Sequence, residues 1–79
     1  MEVGSPRWRV HHRRAVLRTV KRMKDEGVAF REIPRDELAV LIAAEMIEDD
    51  PAYSADGFDW QALLDLIIKL LPLILALFG

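Results

Sequence analysis

Two adjacent histidines and a group of aspartates are the residues of this 79-residue chain whose types could do chemistry. His11 and His12 would point about 100° apart on a helix, so they cannot easily share a metal ion. The aspartates lack the alternating ligand spacing of a calcium loop. We interpret both histidines as solvated or phosphate-facing, and we assign capping and turn formation to Asp49, Asp50, Asp56 and Asp59.

Catalytic patterns are not visible in the sequence. It has no Gly-rich phosphate loop, no nucleophile next to a base and no helical His-x-x-x-His pair. It also has no cysteine for a disulfide or a zinc site. We therefore predict a protein that is not an enzyme, with no catalytic residue, no cofactor and no metal ligand.

The amino-terminal third of the chain is strongly basic. Residues 1–24 hold eight basic residues and one acid, whereas residues 25–79 hold twelve acids and three basic residues. Arginine side chains with an aromatic ring such as Trp8 can bind phosphate groups, without sequence preference and with a strong dependence on salt. The predicted contacts to phosphate or to an acidic partner are Arg7, Arg9, Arg13, Arg14, Arg18, Lys21 and Arg22.

Three kinds of partner are open to this basic block: nucleic acid, anionic lipid, and acidic residues of the same chain or of another copy. Ion pairing within an assembly is favoured, because the acidic block is part of the same chain. Glu48, Asp49 and Asp50 crowd the carboxyl end of a predicted helix, where the helix dipole prefers cations. The first helix is the expected source of those cations.

Hydrophobic periodicity predicts three helices and no strand, so the expected fold class is all-α. The first two are short amphipathic helices, from about Trp8 to Asp25 and from Pro34 to about Glu48, with Gly27 ending the first. They form a helical hairpin region over residues 1–50. A turn-rich linker over residues 51–57 leads to an apolar helix over residues 58–79.

The third helix, from Phe58 to Phe78, is apolar almost all round. Either Asp56 or Asp59 can cap it. Its polar and small residues fall in one narrow band, which contains Gln61, Asp65, Lys69, Pro72 and Ala76.

Three arrangements could cover this helix. Packing in a bundle with other copies or with a larger partner is favoured, because the narrow band can then face water or a lumen. A membrane-spanning or interfacial helix is the alternative; the length suffices, but Asp65 and Lys69 nearly cancel the gain of insertion. The third arrangement folds the helix back on the first two, which offer too little surface to cover it.

The sequence therefore predicts a non-enzymatic structural or assembly subunit, such as a component of a phage particle or of another large assembly in a virion or in the cytoplasm. Its fold would be completed by oligomerisation or by a larger protein partner. The alternatives are a membrane-anchored accessory protein and a basic nucleic-acid-binding module. The predicted assembly interface contains Trp60, Leu63, Leu64, Ile67, Ile68, Leu71, Leu75 and Phe78.

Overall fold

The structure is a computed structural model that describes residues 2–79 of the chain. It contains three α-helices, α1 (Pro6–Asp25), α2 (Arg35–Asp49) and α3 (Trp60–Phe78). Short 3-10 helices, Phe30–Glu32 and Pro51–Ser54, lie in the two connections. Residues 2–79 contain no strand, so the predicted all-α fold class is confirmed.

The helix α1 has a defined beginning and end. The side chain of Ser5 caps it, accepting a hydrogen bond from the Trp8 amide at 3.2 Å, and Pro6 occupies the first turn. The helix thus begins two residues before the predicted start. Gly27 follows its end with φ of 92°, a left-handed conformation that favours glycine, as predicted.

Both later helices begin close to the predicted positions. Pro34 precedes α2 in an extended conformation, so this helix begins at Arg35, one residue after the predicted start. The side chain of Asp59 caps α3 by accepting a hydrogen bond from the Ala62 amide at 3.0 Å. Of the two candidate caps, Asp59 is therefore the one used, and α3 begins two residues after Phe58.

The three helices pack around one core. Each connection contacts the helix that it does not join. Tyr53, in the connection from α2 to α3, meets His12 of α1, and Arg31, in the connection from α1 to α2, donates a hydrogen bond to the Leu75 carbonyl of α3 at 3.1 Å. These contacts place the end of α2 beside the start of α1, and the end of α3 beside the end of α1, so the three helices run up, down and up. The residues of the core that are at most 2% exposed include Val16, Val20, Met23, Phe30, Leu38, Ile42, Met46, Leu63, Ile67, Leu71 and Ile74.

The position of α3 corrects one expectation. Leu63, Ile67 and Leu71 are 0%, 0% and 2% exposed, so the central row of α3 is buried inside the chain's own bundle. Full burial of such a side chain stabilises a fold by about 1.5–3 kcal/mol. Two short helices do offer enough surface for this row, because α1 and α2 each turn an apolar face to it. They do not cover its flanks.

The predicted polar and small band of α3 faces outward. Every member is exposed, on the side of the helix opposite the buried row. This part of the prediction is confirmed for Gln61, Asp65, Lys69, Pro72 and Ala76.

Candidate functional site

Apolar side chains remain outside the bundle on both flanks of α3. Ile68 is 48% exposed, Leu73 is 42% exposed and Leu77 is 62% exposed. At about 100° per residue, Ile68 lies on one side of the buried row, and Leu73 and Leu77 lie on the other. We call these three residues the outer apolar surface of α3; it consists of two flanks that the exposed polar band separates. It is available to a partner, whereas the central row is not.

The eight residues of the predicted assembly interface divide into three groups. Leu63, Ile67 and Leu71 belong to the core, and their assignment to an intermolecular interface is corrected for that reason. Ile68 is exposed, as an interface residue must be in the free chain. The remaining four are half-buried at the edges of the bundle and comprise Trp60, Leu64, Leu75 and Phe78.

Sequence reasoning missed Leu73 and Leu77 as exposed positions. They follow Lys69 at intervals of four residues, which places all three in one row along the helix. Lys69 is exposed and lies beside Trp8 of α1 in a small surface groove. The four-residue spacing after Lys69 could have indicated that Leu73 and Leu77 lie in the same exposed row. The wide apolar arc of α3 concealed it, because periodicity alone does not show which part of the arc is buried.

A shallow groove lies on the outward side of α2. Val40 and Ile47, 60% and 38% exposed, point away from the core. Only one side of the apolar residues of α2 therefore packs within the chain. The groove has a volume of about 680 Å³ and is lined by Ile33, Asp36, Glu37, Val40, Leu41 and Ala44.

The length and composition of α3 would suffice for a membrane span, as they would for the core helix of a soluble bundle. Among residues 2–79, Trp60–Phe78 is the one helix long and apolar enough to cross a bilayer. The mean hydropathy of its most apolar window is 2.1, and 22% of that window is buried in the bundle. Most of this apolar helix is therefore at least partly accessible.

A row of basic side chains follows the outward face of α1. Arg7, Arg14, Arg18 and Lys21 fall within about 60° of arc, opposite the fully buried Val16. We call these four residues the basic stripe. All are exposed, and in the described part of the chain none of the arginines of the stripe forms a salt bridge. Arg9 and Arg13 are also exposed and without a salt bridge in residues 2–79.

Arg22, by contrast, forms ion pairs with acidic residues of the same chain. Its guanidinium lies 2.7 Å from Glu26, 2.7 Å from Glu45 and 3.1 Å from Asp49. Hydrogen bonds to these carboxylates, Glu45 first, raise the pKa of Arg22. Asp49 also accepts a hydrogen bond from the Thr19 hydroxyl at 3.1 Å. The first helix of the same chain thus supplies the cation expected at the carboxyl end of α2.

Aromatic rings cluster where the start of α1 meets the connection between α2 and α3. His12 is 8% exposed, and its Nδ1 lies 2.9 Å from the Tyr53 hydroxyl. The His12 ring centroid is 4.5 Å from that of Trp8 and 5.8 Å from that of Phe58, and Trp60 packs on Phe58 in turn. Two interpretations are corrected: His12 is not solvated, and Trp8, 6% exposed, is not available to stack on a base.

The surroundings of this cluster shift two pKa values. Burial lowers the pKa of His12, and the neighbouring His11 lowers it further. Burial raises the pKa of Tyr53, as does the negative charge of Asp50. His12 is therefore mainly neutral near pH 7, and its Nδ1 either accepts a hydrogen bond from the Tyr53 hydroxyl or donates one to it, depending on the tautomer. The contact between His12 and Tyr53 joins α1 to the 3-10 helix Pro51–Ser54.

Neither a metal cluster nor a known relative guides the interpretation further. Within residues 2–79, no three histidine or acidic side chains lie together as metal ligands would. Neither a family model, nor a curated protein, nor a solved structure matches the chain. Three surface features are available for an interpretation: the outer apolar surface of α3, the groove of α2 and the basic stripe of α1.

Proposed function

We propose that this chain is a non-enzymatic structural or assembly subunit. In this proposal it binds copies of itself, or a larger protein, through the apolar side chains that α3 leaves outside the bundle. The observation that supports this proposal is the exposure of Ile68, Leu73 and Leu77 on a helix whose most apolar window has a mean hydropathy of 2.1. Outside its core-facing stripe, a surface helix of a small bundle is normally polar. In α3 the outward band is polar, but apolar side chains remain exposed on both of its flanks, and exposed apolar surface can mark an interaction site.

The size of the chain supports association. A chain of this length buries only about 60% of the surface that it exposes when unfolded, so its own core gives it modest stability. A partner that binds only the folded state raises that stability by mass action. The half-buried rings of Trp60 and Phe78, at the two ends of α3, would lose their remaining exposed area in such a complex.

The same features support a proposal for the kind of assembly. A small helical subunit with a basic stripe, an acidic remainder and apolar side chains exposed on both flanks of one helix suits a particle or filament built from many copies, such as a phage particle. The proposed location is accordingly within a virion or another assembly in the cytoplasm. The core supplies a rigid body, and the outer apolar surface of α3 supplies the contact.

The oligomeric state of variants of this surface tests the proposal. We expect the purified chain to sediment as an oligomer without detergent. The double variant Leu73→Ser/Leu77→Ser should sediment as a monomer with unchanged helical circular dichroism, because both side chains lie outside the core. Val10→Ser, at a 38% exposed position of α1, is the matched control and should leave the oligomer intact.

A monomeric wild-type chain in the absence of detergent would refute self-association. A larger protein partner would then have to be found for the same surface. Substitution of a core residue such as Ile67 is not a test of assembly, because it removes the fold together with the interface.

A membrane-anchored protein is the second candidate, favoured by the length and hydropathy of α3. Insertion would require α3 to leave the bundle and give up the burial of Leu63, Ile67 and Leu71 against α1 and α2. Extraction of cell membranes with carbonate separates the two candidates. Release of the chain into the supernatant supports the assembly subunit, whereas retention in the pellet supports the membrane anchor.

A further inference from the structure

We infer that the basic stripe of α1 binds the phosphate backbone of nucleic acid, a role that goes beyond the assembly contact proposed for α3. The stripe lies opposite the buried Val16, with Arg18 at its edge lining a surface pocket together with Asp49, Asp50 and Tyr53. Arg7, Arg14 and Arg18 are exposed, and within residues 2–79 they have no salt bridge. Lys21 has one, an exposed pair with Asp25 at 3.4 Å.

The acids nearest to α1 are directed to a different cation. Glu26, Glu45 and Asp49 all meet Arg22, which lies on the side of α1 that faces α2. Two further acids lie beside the stripe: Asp25, whose exposed pair with Lys21 is of a kind that contributes little, and Asp50, which lines a pocket with Arg18 without a salt bridge to it. Within residues 2–79 the three arginines of the stripe therefore keep their charges unpaired, although the whole sequence has a net charge of −2.

The dimensions of the stripe suit a polyanion. The rise of an α-helix places Arg7 and Lys21 about 21 Å apart along the axis. Successive phosphates of one strand advance about 3.4 Å along a duplex, so the stripe is about as long as six nucleotides. Three of its four members are arginines, whose planar forks bind phosphate oxygens with two hydrogen bonds.

The composition of this face favours nucleic acid over a lipid surface. A helix that binds a bilayer inserts an apolar face between the lipids. The apolar face of α1 is buried in the bundle core, through residues such as Val16 and Val20. Val10, 38% exposed, is the large apolar side chain beside the stripe in the described part of the chain. One valine provides little area for insertion.

The burial of Trp8 indicates how nucleic acid would be bound. Proteins that prefer single strands stack bases on exposed aromatic rings. Trp8 is 6% exposed and packs against His12, so it cannot serve in this way. Binding through the stripe is therefore a contact to phosphates, independent of sequence, and duplex DNA should bind at least as tightly as a single strand.

A salt series with matched variants tests the inference. The probe is a short fluorescein-labelled DNA duplex, and its anisotropy is measured against the full chain from low to physiological salt. The variant Arg14→Gln/Arg18→Gln should weaken binding and reduce the slope of log affinity against log salt by about 1.8, since each duplex phosphate contact contributes about 0.9. The control Arg35→Gln/Lys69→Gln removes the same charge at exposed positions outside the stripe and should bind nearly as the wild type does.

Two results would overturn the inference. Equal loss of affinity in both double variants would mean that net charge, not the stripe, attracts the DNA. Binding to phosphatidylserine-containing vesicles that depends on Arg14 and Arg18, without binding to the duplex, would assign the stripe to lipid. Circular dichroism of both variants confirms that they are folded, and sedimentation shows whether assembly, a separate property, is retained.

Discussion

The Tyr53 hydroxyl lies 2.9 Å from Nδ1 of His12 and joins α1 to the turn after α2. The two residues are 41 positions apart, and both are buried. Phe58 packs on both rings, with centroids 5.8 Å from His12 and 5.1 Å from Tyr53. A titratable group thus lies at the junction of all three helices, so protonation of the group must act on the stability of the fold.

We predict that the free energy of unfolding decreases as the pH falls below about 6.5, the ordinary pKa of histidine. Burial, and then His11, lower the pKa of His12 in the folded chain, so the unfolded chain binds the proton more readily. The stability is therefore complete above the unfolded pKa and is lost as the pH falls towards the folded value. Urea denaturation followed by circular dichroism between pH 8 and pH 5 measures the effect.

Variants of the two histidines show which of them causes this pH dependence of the stability. His12→Gln should be less stable at every pH, but without the loss of stability that His12 causes between neutral and mildly acidic pH. His11→Gln, at an exposed position, should retain most of that loss. An unchanged pH dependence in His12→Gln would show that another group is responsible.

Local features of the sequence predicted the elements of this fold correctly. Gly27 after α1, Asp59 before α3 and the polar band of α3 each depend on residues within one or two turns of each other. The pairing of α1 with the acidic end of α2 was also predictable, because a carboxyl end rich in acids needs a cation. Helix propensity, capping and charge act over short distances that a single sequence displays.

The long-range packing could not be predicted in the same way. The contact of His12 with Tyr53 depends on how two connections fold over the bundle, and no local pattern marks either residue. The wide apolar arc of α3 likewise permits several orientations, and only the paired faces of α1 and α2 select Ile67 for the core and leave Ile68 outside. These outcomes depend on shape complementarity among three helices.

Removal of the Arg22 guanidinium should lower the thermal midpoint. Arg22→Gln leaves the carboxylates of Glu45 and Asp49 without a cation at the carboxyl end of α2, where the helix dipole disfavours negative charge. The decrease should be larger at low than at high ionic strength, because salt screens the repulsion. Differential scanning calorimetry at two salt concentrations measures both changes.

The matched control for this prediction is Lys21→Gln. It removes one exposed pair, to Asp25 in the next turn, and should change the midpoint little. Arg22→Lys should recover only part of the loss, because an ammonium group cannot reproduce the planar fork. Equal midpoints for Arg22→Gln and Lys21→Gln would contradict a central role of Arg22.

Neighbouring isoleucines of α3 should respond differently to truncation. Ile67 is fully buried, so Ile67→Ala should reduce the free energy of unfolding by about 2–5 kcal/mol. Ile68 is 48% exposed, and Ile68→Ala should change it by less, within about 0.5 kcal/mol for the monomer. Urea denaturation at a concentration where each variant is monomeric checks the difference. Comparable losses at the two positions would place α3 in a different orientation.

Pro72 lies within α3, where its ring removes the amide that would donate to the Ile68 carbonyl. The helix nevertheless continues to Phe78, and Pro72 is exposed, so water can reach that carbonyl. Pro72→Ala restores the donor and should raise the free energy of unfolding by up to about 3 kcal/mol. Pro51→Ala is the control: Pro51 occupies a first turn, where proline is favourable, and its loss should give no gain. Denaturation by urea compares the two variants, and a decrease in stability for Pro72→Ala would mean that the proline is required for the path of α3 across the bundle.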